Sequence, residues 1–177
     1  MAVTFEWDED HGSGPTTQHN ATNVNWKSVN DYSTAYSSAP ITAGQNSYEK
    51  YQYGHFSGAY NSLSAGLFAH TSGALGTGLT LKVNPTMTAD GDRKAWATPV
   101  TTTSTQATVD ITSVVPIASG IAVWFGGTGP ASSGKAATCT TALPVYTNYL
   151  VTQLQTTGSA AAGDTATVTL TLQYDES

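Results

Sequence analysis

Gly129-Pro130-Ala131-Ser132-Ser133-Gly134-Lys135-Ala136 has the glycine and lysine spacing of a phosphate-binding loop, and it follows the apolar run Ile121–Phe125. Such a loop needs a hydroxyl straight after the lysine to hold Mg²⁺, and a helix whose N-terminal amides face the phosphates. Ala136 has no hydroxyl, and the next residues, Thr138-Cys139-Thr140-Thr141-Ala142-Leu143-Pro144, are a poor helix broken by proline. The match therefore reads as a flexible loop without a nucleotide, in which Lys135→Ala and Gly134→Ala should be almost neutral.

A second candidate is Asp8-Glu9-Asp10-His11 with His19 close behind, which could touch a cation. Consecutive carboxylates point apart, whereas a hard-cation loop must curl them inward, so a solvated acidic arm is expected. Asp90-Gly91-Asp92 reads likewise as an acidic turn. Metal ligands and cofactors are not expected. For nucleophilic chemistry there is no Gly-x-Ser-x-Gly elbow, and Cys139 lies in a Thr-rich stretch without a neighbouring base. His55 and His70 flank aromatic and apolar positions, which suits core or interface histidines better than general bases. No catalytic residue emerges, and the chain is expected not to be an enzyme.

The densest aromatic stretch runs from Tyr48 to Phe56. Under two-residue alternation Tyr51 and Tyr53 share one face, and Tyr48, Lys50 and Gln52 the other. Tyrosine is enriched in cores and at subunit contacts, so one face is expected to be core and the other an interface. Tyr48, Lys50, Tyr51, Tyr53 and His55 are the candidate interface residues.

These residues sit in a chain of 177 amino acids, the size of one domain. Charged residues are only 10% of it, against roughly 25% in an average soluble domain. Hydroxyls replace them, with 30 Thr and 17 Ser. The 17 aromatic side chains (four Trp, nine Tyr, four Phe) suffice for a core and argue against charged disorder. Six Lys+Arg against 12 Asp+Glu give a net charge of −6, so no basic face is expected for nucleic acid or an anionic membrane. One cysteine excludes an internal disulfide framework. The opening residues carry no basic-then-apolar leader pattern, and no apolar run nears the roughly 20 residues of a membrane-spanning helix. A soluble product made in a cytoplasm is expected.

The elements read as strand after strand. Thr4–Trp7 suggests a short edge strand, and residues 8–23 a polar arm without large apolar side chains. Val24, Trp26 and Ser28 suggest another strand. Leu63, Leu67 and Phe68 fall at helical spacing and suggest one short helix over Asn61–His70. Leu79–Val83, Ala107–Ile111, Ile121–Phe125 and Tyr149–Gln155 follow as strands, the last without one clean apolar face. Val168, Leu170, Leu172 and Tyr174 alternate strictly with polar residues and should face a core. The expected fold is all-β: an antiparallel sandwich, jelly-roll or Ig-like, of about seven to nine strands with at most one short helix. The expected division is residues 1–23 as N-terminal strand and polar arm, and 24–177 as the sandwich.

Three places resemble small virion structural proteins of tailed bacteriophages. They are Pro40–Tyr51 continued by Phe56-Ser57-Gly58 and Asn61-Ser62-Leu63, then Ala97-Thr98-Pro99-Val100, then the terminal strand Thr167–Glu176. Together they comprise 32 of the 177 residues and leave out the first 35. The resemblance implies a non-enzymatic capsid decoration (cement) protein on the head surface, residing in the virion after synthesis in a bacterial host. The major capsid protein or other virion subunits would be its partners, in a homo-oligomeric array without nucleic acid or membrane. The alternative is a host-surface or glycan-binding module of the neck, tail or head fibre. A composition poor in charge also suggests a chain that avoids costly buried ions.

Overall fold

A computed structural model describes residues 3–11, 16–22, 24–85, 98–140, 144–161, 163 and 167–177. The Asp90-Gly91-Asp92 turn, Ala97 and the stretch Thr141–Leu143 lie outside the described residues.

The described chain is almost wholly strand, arranged as two antiparallel sheets packed into a β-sandwich. Its twelve strands are β1 (Val3–His11), β2 (Thr16–Gln18), β3 (Lys50–Gly58), β4 (Leu63–Ser72), β5 (Leu79–Val83), β6 (Val109–Asp110), β7 (Ile121–Val123), β8 (Phe125–Gly126), β9 (Thr138–Cys139), β10 (Val145–Thr147), β11 (Leu150–Thr156) and β12 (Thr169–Glu176). Sheet A has the order β2-β1-β3-β11-β5-β6, with β10 bridging β3 and β8; sheet B has the order β12-β4-β7, with β9 also on β4. Two single-turn 3₁₀ segments, Tyr36–Ser38 and Ile117–Ser119, are the only helical pieces among the described residues. None of the described helical segments is long and apolar enough to cross a membrane.

The sheets meet over Phe68, Leu81, Val83, Val123, Leu150 and Leu154, and further along over Phe56, Leu63, Phe125, Cys139 and Val145. Leu170, Leu172 and Tyr174 of β12 pack onto these clusters as half-buried residues, because β12 is an edge strand. β11 lacks a clean apolar face for the opposite reason. It lies inside sheet A with both faces covered, so Leu150 and Leu154 look inward while Val151 joins Tyr51, Tyr53, Tyr149 and Ala107 outside.

Three expectations fail here. Asn61–His70 holds no helix. It contains most of β4, whose register against β12 shifts between Gln173 and Asp175, so β4 carries an extra residue there. Ala65 sits at that point with φ +52°. Adding one residue moves the inward phase, so Leu63 and Phe68 both reach the core despite their odd spacing, while Leu67, at i+4 from Leu63, stays half-buried. Gly66 is required beside the bulge, since a Cβ there would meet the Phe125 ring and the Val123 carbonyl at 2.6 Å. Next, Trp26 belongs to no strand; its indole N–H donates to Thr152 Oγ1 at 3.1 Å. Finally, the apolar run Ile121–Phe125 is two strands, β7 pairing in sheet B and β8 in sheet A, so the chain changes sheets at Trp124.

Candidate functional site

β1 pairs with β3 over most of its length, matching Phe5 to Phe56, Glu6 to His55, Asp8 to Tyr53, Glu9 to Gln52 and Asp10 to Tyr51. Alternation sends Phe5, Trp7 and Glu9 to the sandwich interior, and Glu6, Asp8 and Asp10 to the outer face of sheet A. Asp8, Glu9, Asp10 and His11 are all buried. The solvated acidic run expected from the sequence is therefore a paired strand, and the expectation of a chain without buried ions fails with it. Seven of the thirteen charged residues among those described are buried: Asp8, Glu9, Asp10, Lys27, Glu49, Lys50 and Lys135.

On the inner face Glu9 has a fixed counter-ion. Lys50 Nζ donates to its Oε1 at 2.9 Å and Gln52 Nε2 to its Oε2 at 3.3 Å. Burial holds the His11 imidazole below its ordinary pKa, and its ring meets Tyr32 at 4.7 Å. Lys27 closes this end of the sandwich, donating to Asp31 Oδ1 at 2.9 Å and to the Thr34 carbonyl at 2.6 Å.

The outer face is different. Asp8 has no exposed side-chain surface. Its Oδ1 accepts the Asn20 N–H at 3.0 Å, and its Oδ2 lies 3.0 Å from His19 Nδ1. His55 Nδ1 sits 3.5 Å from both Asp8 Oδ2 and Glu6 Oε2. That nitrogen is buried and makes no hydrogen bond. One ligand-capable atom from each of Glu6, Asp8, His19 and His55 lies within 4.8 Å of the other three. The His55 ring is stacked on Tyr146, centroids 4.6 Å apart and planes at 9°. Asp10, next along this face, accepts from Thr17 Oγ1 at 2.6 Å and from the Tyr149 hydroxyl. Burial, with Asp8 and Glu6 nearby, raises the Tyr146 phenol. Among the described residues no Lys or Arg pairs with Glu6, Asp8 or Asp10. No family model, curated protein or solved structure matches this chain.

Of the residues the sequence singled out, Lys50, Tyr51 and Tyr53 are buried within the chain, leaving Tyr48 and His55 with surface to offer. Tyr51 and Tyr53 do share a face, but residues of the same chain, Ala107 and Tyr149 among them, pack against it. His70 is a core histidine whose ring nitrogens lie 2.9 and 3.0 Å from the Ile111 and Ser72 carbonyls. Cys139 is buried in β9.

Lys135 is no loose loop residue. It is buried, and Nζ donates to the carbonyls of Gly126, Gly129 and Tyr146 at 2.6, 3.0 and 3.2 Å. A phosphate loop turns N–H groups inward around an anion; this one turns carbonyls inward around a cation. Phe125 and Ala136 exchange two backbone hydrogen bonds of 2.8 Å across its neck. Lys135→Ala and Gly134→Ala are therefore not neutral: the first removes a buried ammonium that three carbonyls share, and Gly134 has φ +80°.

The cluster that sequence reading missed is Glu6, Asp8, His19 and His55. The signal was present as carboxylates at alternate positions 6, 8 and 10, one face of a strand. A short run of charges reads as a solvated loop until its pairing with β3 is known.

Proposed function

We propose that the chain is a non-enzymatic structural protein of a tailed-phage particle, a decoration protein that binds the head surface. One observation carries the reading beyond the resemblance: seven of the thirteen described charged residues are withdrawn into the fold, while an edge strand leaves hydroxyls outside. The outward row of β12 is Thr169, Thr171, Gln173 and Asp175, on an edge strand. The Thr169, Thr171 and Gln173 part of that row is uncharged and docks without stripping water from ions, the main cost of a charged contact. Each copy then needs only a modest contact, because an array on a shell works at high effective concentration. With Asp8, Glu9 and Asp10 buried, attachment should respond weakly to salt.

The test is co-sedimentation of purified protein with preassembled shells lacking it. Saturable binding that persists at raised salt is expected. A monodisperse protein that binds no virion part would overturn the reading.

A groove of about 690 Å³, lined by Trp26, Tyr36, Ile41, Leu75 and Val168 among others, favours a second reading as a glycan-binding module. Tyr36 is exposed there, and aromatic faces stack on sugars. A glycan array discriminates: hits lost in Trp26→Ala, with no shell binding, would favour this second reading.

A further inference from the structure

We propose that Glu6, Asp8, His19 and His55 form a structural site for a first-row divalent cation of the Zn²⁺ type, fastening the turn after β2 to the outer face of sheet A. Three separate observations converge on it.

The first is charge. Asp8 is wholly enclosed, Glu6 lies on the same face, and no described Lys or Arg pairs with either. Burying an ionised carboxylate without a counter-charge is strongly unfavourable. Two carboxylates and two neutral imidazoles balance one divalent cation with no net charge left over.

The second is distance. A tetrahedral ion with bonds of about 2.0–2.2 Å holds its ligand atoms ~3.3–3.5 Å apart. Three of the six separations are 3.0 Å for His19–Asp8 and 3.5 Å for both His55–Asp8 and His55–Glu6, and all six lie within 4.8 Å. Small side-chain rotations complete the set, and His19, with 68% of its side chain exposed, is free to make them.

The third is orientation. His55 Nδ1 is buried without a hydrogen bond and faces the two carboxylates, while the ring is fixed by stacking on Tyr146. The Asn20 N–H fixes the other Asp8 oxygen at 3.0 Å. Such supporting contacts orient ligands at metal sites.

The donor set names the cation class. Two imidazoles disfavour Ca²⁺ and Mg²⁺, which take all-oxygen shells, and suit Zn²⁺, Co²⁺ or Ni²⁺. All four positions come from the protein, which is the mark of a structural centre; a catalytic one keeps a position open. His19 lies just past the short strand β2, so the ion would add to the three-residue pairing that holds β2 to β1.

The experiment is isothermal titration and thermal unfolding of the full chain, freed of metal with a chelator, against Zn²⁺, Ca²⁺ and Mg²⁺. One Zn²⁺ per chain is expected, raising the melting midpoint, with no effect of Ca²⁺ or Mg²⁺ at equal concentration. His19→Ala, at an exposed position that leaves the fold intact, should weaken Zn²⁺ binding by more than the roughly 10–100-fold that loss of a mere outer-shell partner costs. His55→Gln should do the same. Co²⁺ should give the visible absorption of a low-coordinate site in the wild type and lose it in His19→Ala. Absence of Zn²⁺ stabilisation would overturn the proposal, as would stabilisation that survives in both variants.

Discussion

Asp8 and Glu9 are neighbours in one strand, both fully or nearly fully buried, and their charges are met in different ways. Glu9 looks into the sandwich and meets a permanent ammonium, Lys50, plus an amide, Gln52. Asp8 looks outward and meets a backbone N–H and two imidazoles, one of which has a nitrogen with no hydrogen bond. A lysine is a fixed charge; an imidazole takes a proton or a metal depending on conditions. The inner pair is thus complete in itself. The outer group is a socket.

The largest expected effect tests that completeness. Lys50→Met strands the buried Glu9 carboxylate and should cost about 3–5 kcal/mol, read by denaturant unfolding. The double variant Glu9→Leu/Lys50→Met should recover most of that loss, because a buried pair replaced by apolar groups is often near neutral. Failure of the double variant to recover would mean that the pair does more than neutralise itself.

Lys135 extends the comparison to a buried cation that donates to three carbonyls. Lys135→Ala removes the donor common to those carbonyls and should destabilise by roughly 1–3 kcal/mol. An unchanged midpoint in thermal unfolding would show that the loop relaxes to water instead.

A pH titration of stability probes the inner face next. His11 is held below its ordinary value of 6.5 by burial. The unfolded chain therefore takes up this proton first, and stability should begin to fall as pH drops through about 6.5. A second loss follows at lower pH. Asp31, kept below the usual carboxylate range by hydrogen bonds from Thr34 and then Lys27, and Asp110, kept there chiefly by Thr112, contribute stability that is present above 3.8 and lost as pH falls further. His11→Phe should remove the first phase and keep the second.

The smallest effect is on the outer face without metal. His19 is exposed, so His19→Ala in metal-free protein should change stability by only about 0–1 kcal/mol. A large loss would mean that a protonated His19 already neutralises Asp8, closing the socket.

How far the sequence discloses this depends on which surface an element faces. β12 is legible because an edge strand with one covered face shows strict alternation, from Val168 through Tyr174. The covered central strand β11 hides its face, yet still reads as strand. β4 is misread because its bulge breaks the alternation of Leu63, Leu67 and Phe68, and their i, i+4, i+5 order then reads as a helix. The site is the least legible part. His19 and His55 are distant in sequence and meet only through the β1–β3 pairing and the turn at Asn20, whose φ is +51°. Charge in a sequence is ordinarily a sign of exposure, and at Asp8, Glu9 and Asp10 it marks the interior.

The most direct measurement is anomalous diffraction from a crystal of the full chain grown with Zn²⁺. The account predicts one strong peak among His19 Nδ1, His55 Nδ1 and the Glu6 and Asp8 carboxylates, and none at Glu9, where Lys50 already supplies the charge. An empty outer cluster in crystals containing Zn²⁺, or a peak at Glu9 with Lys50 displaced, would contradict it.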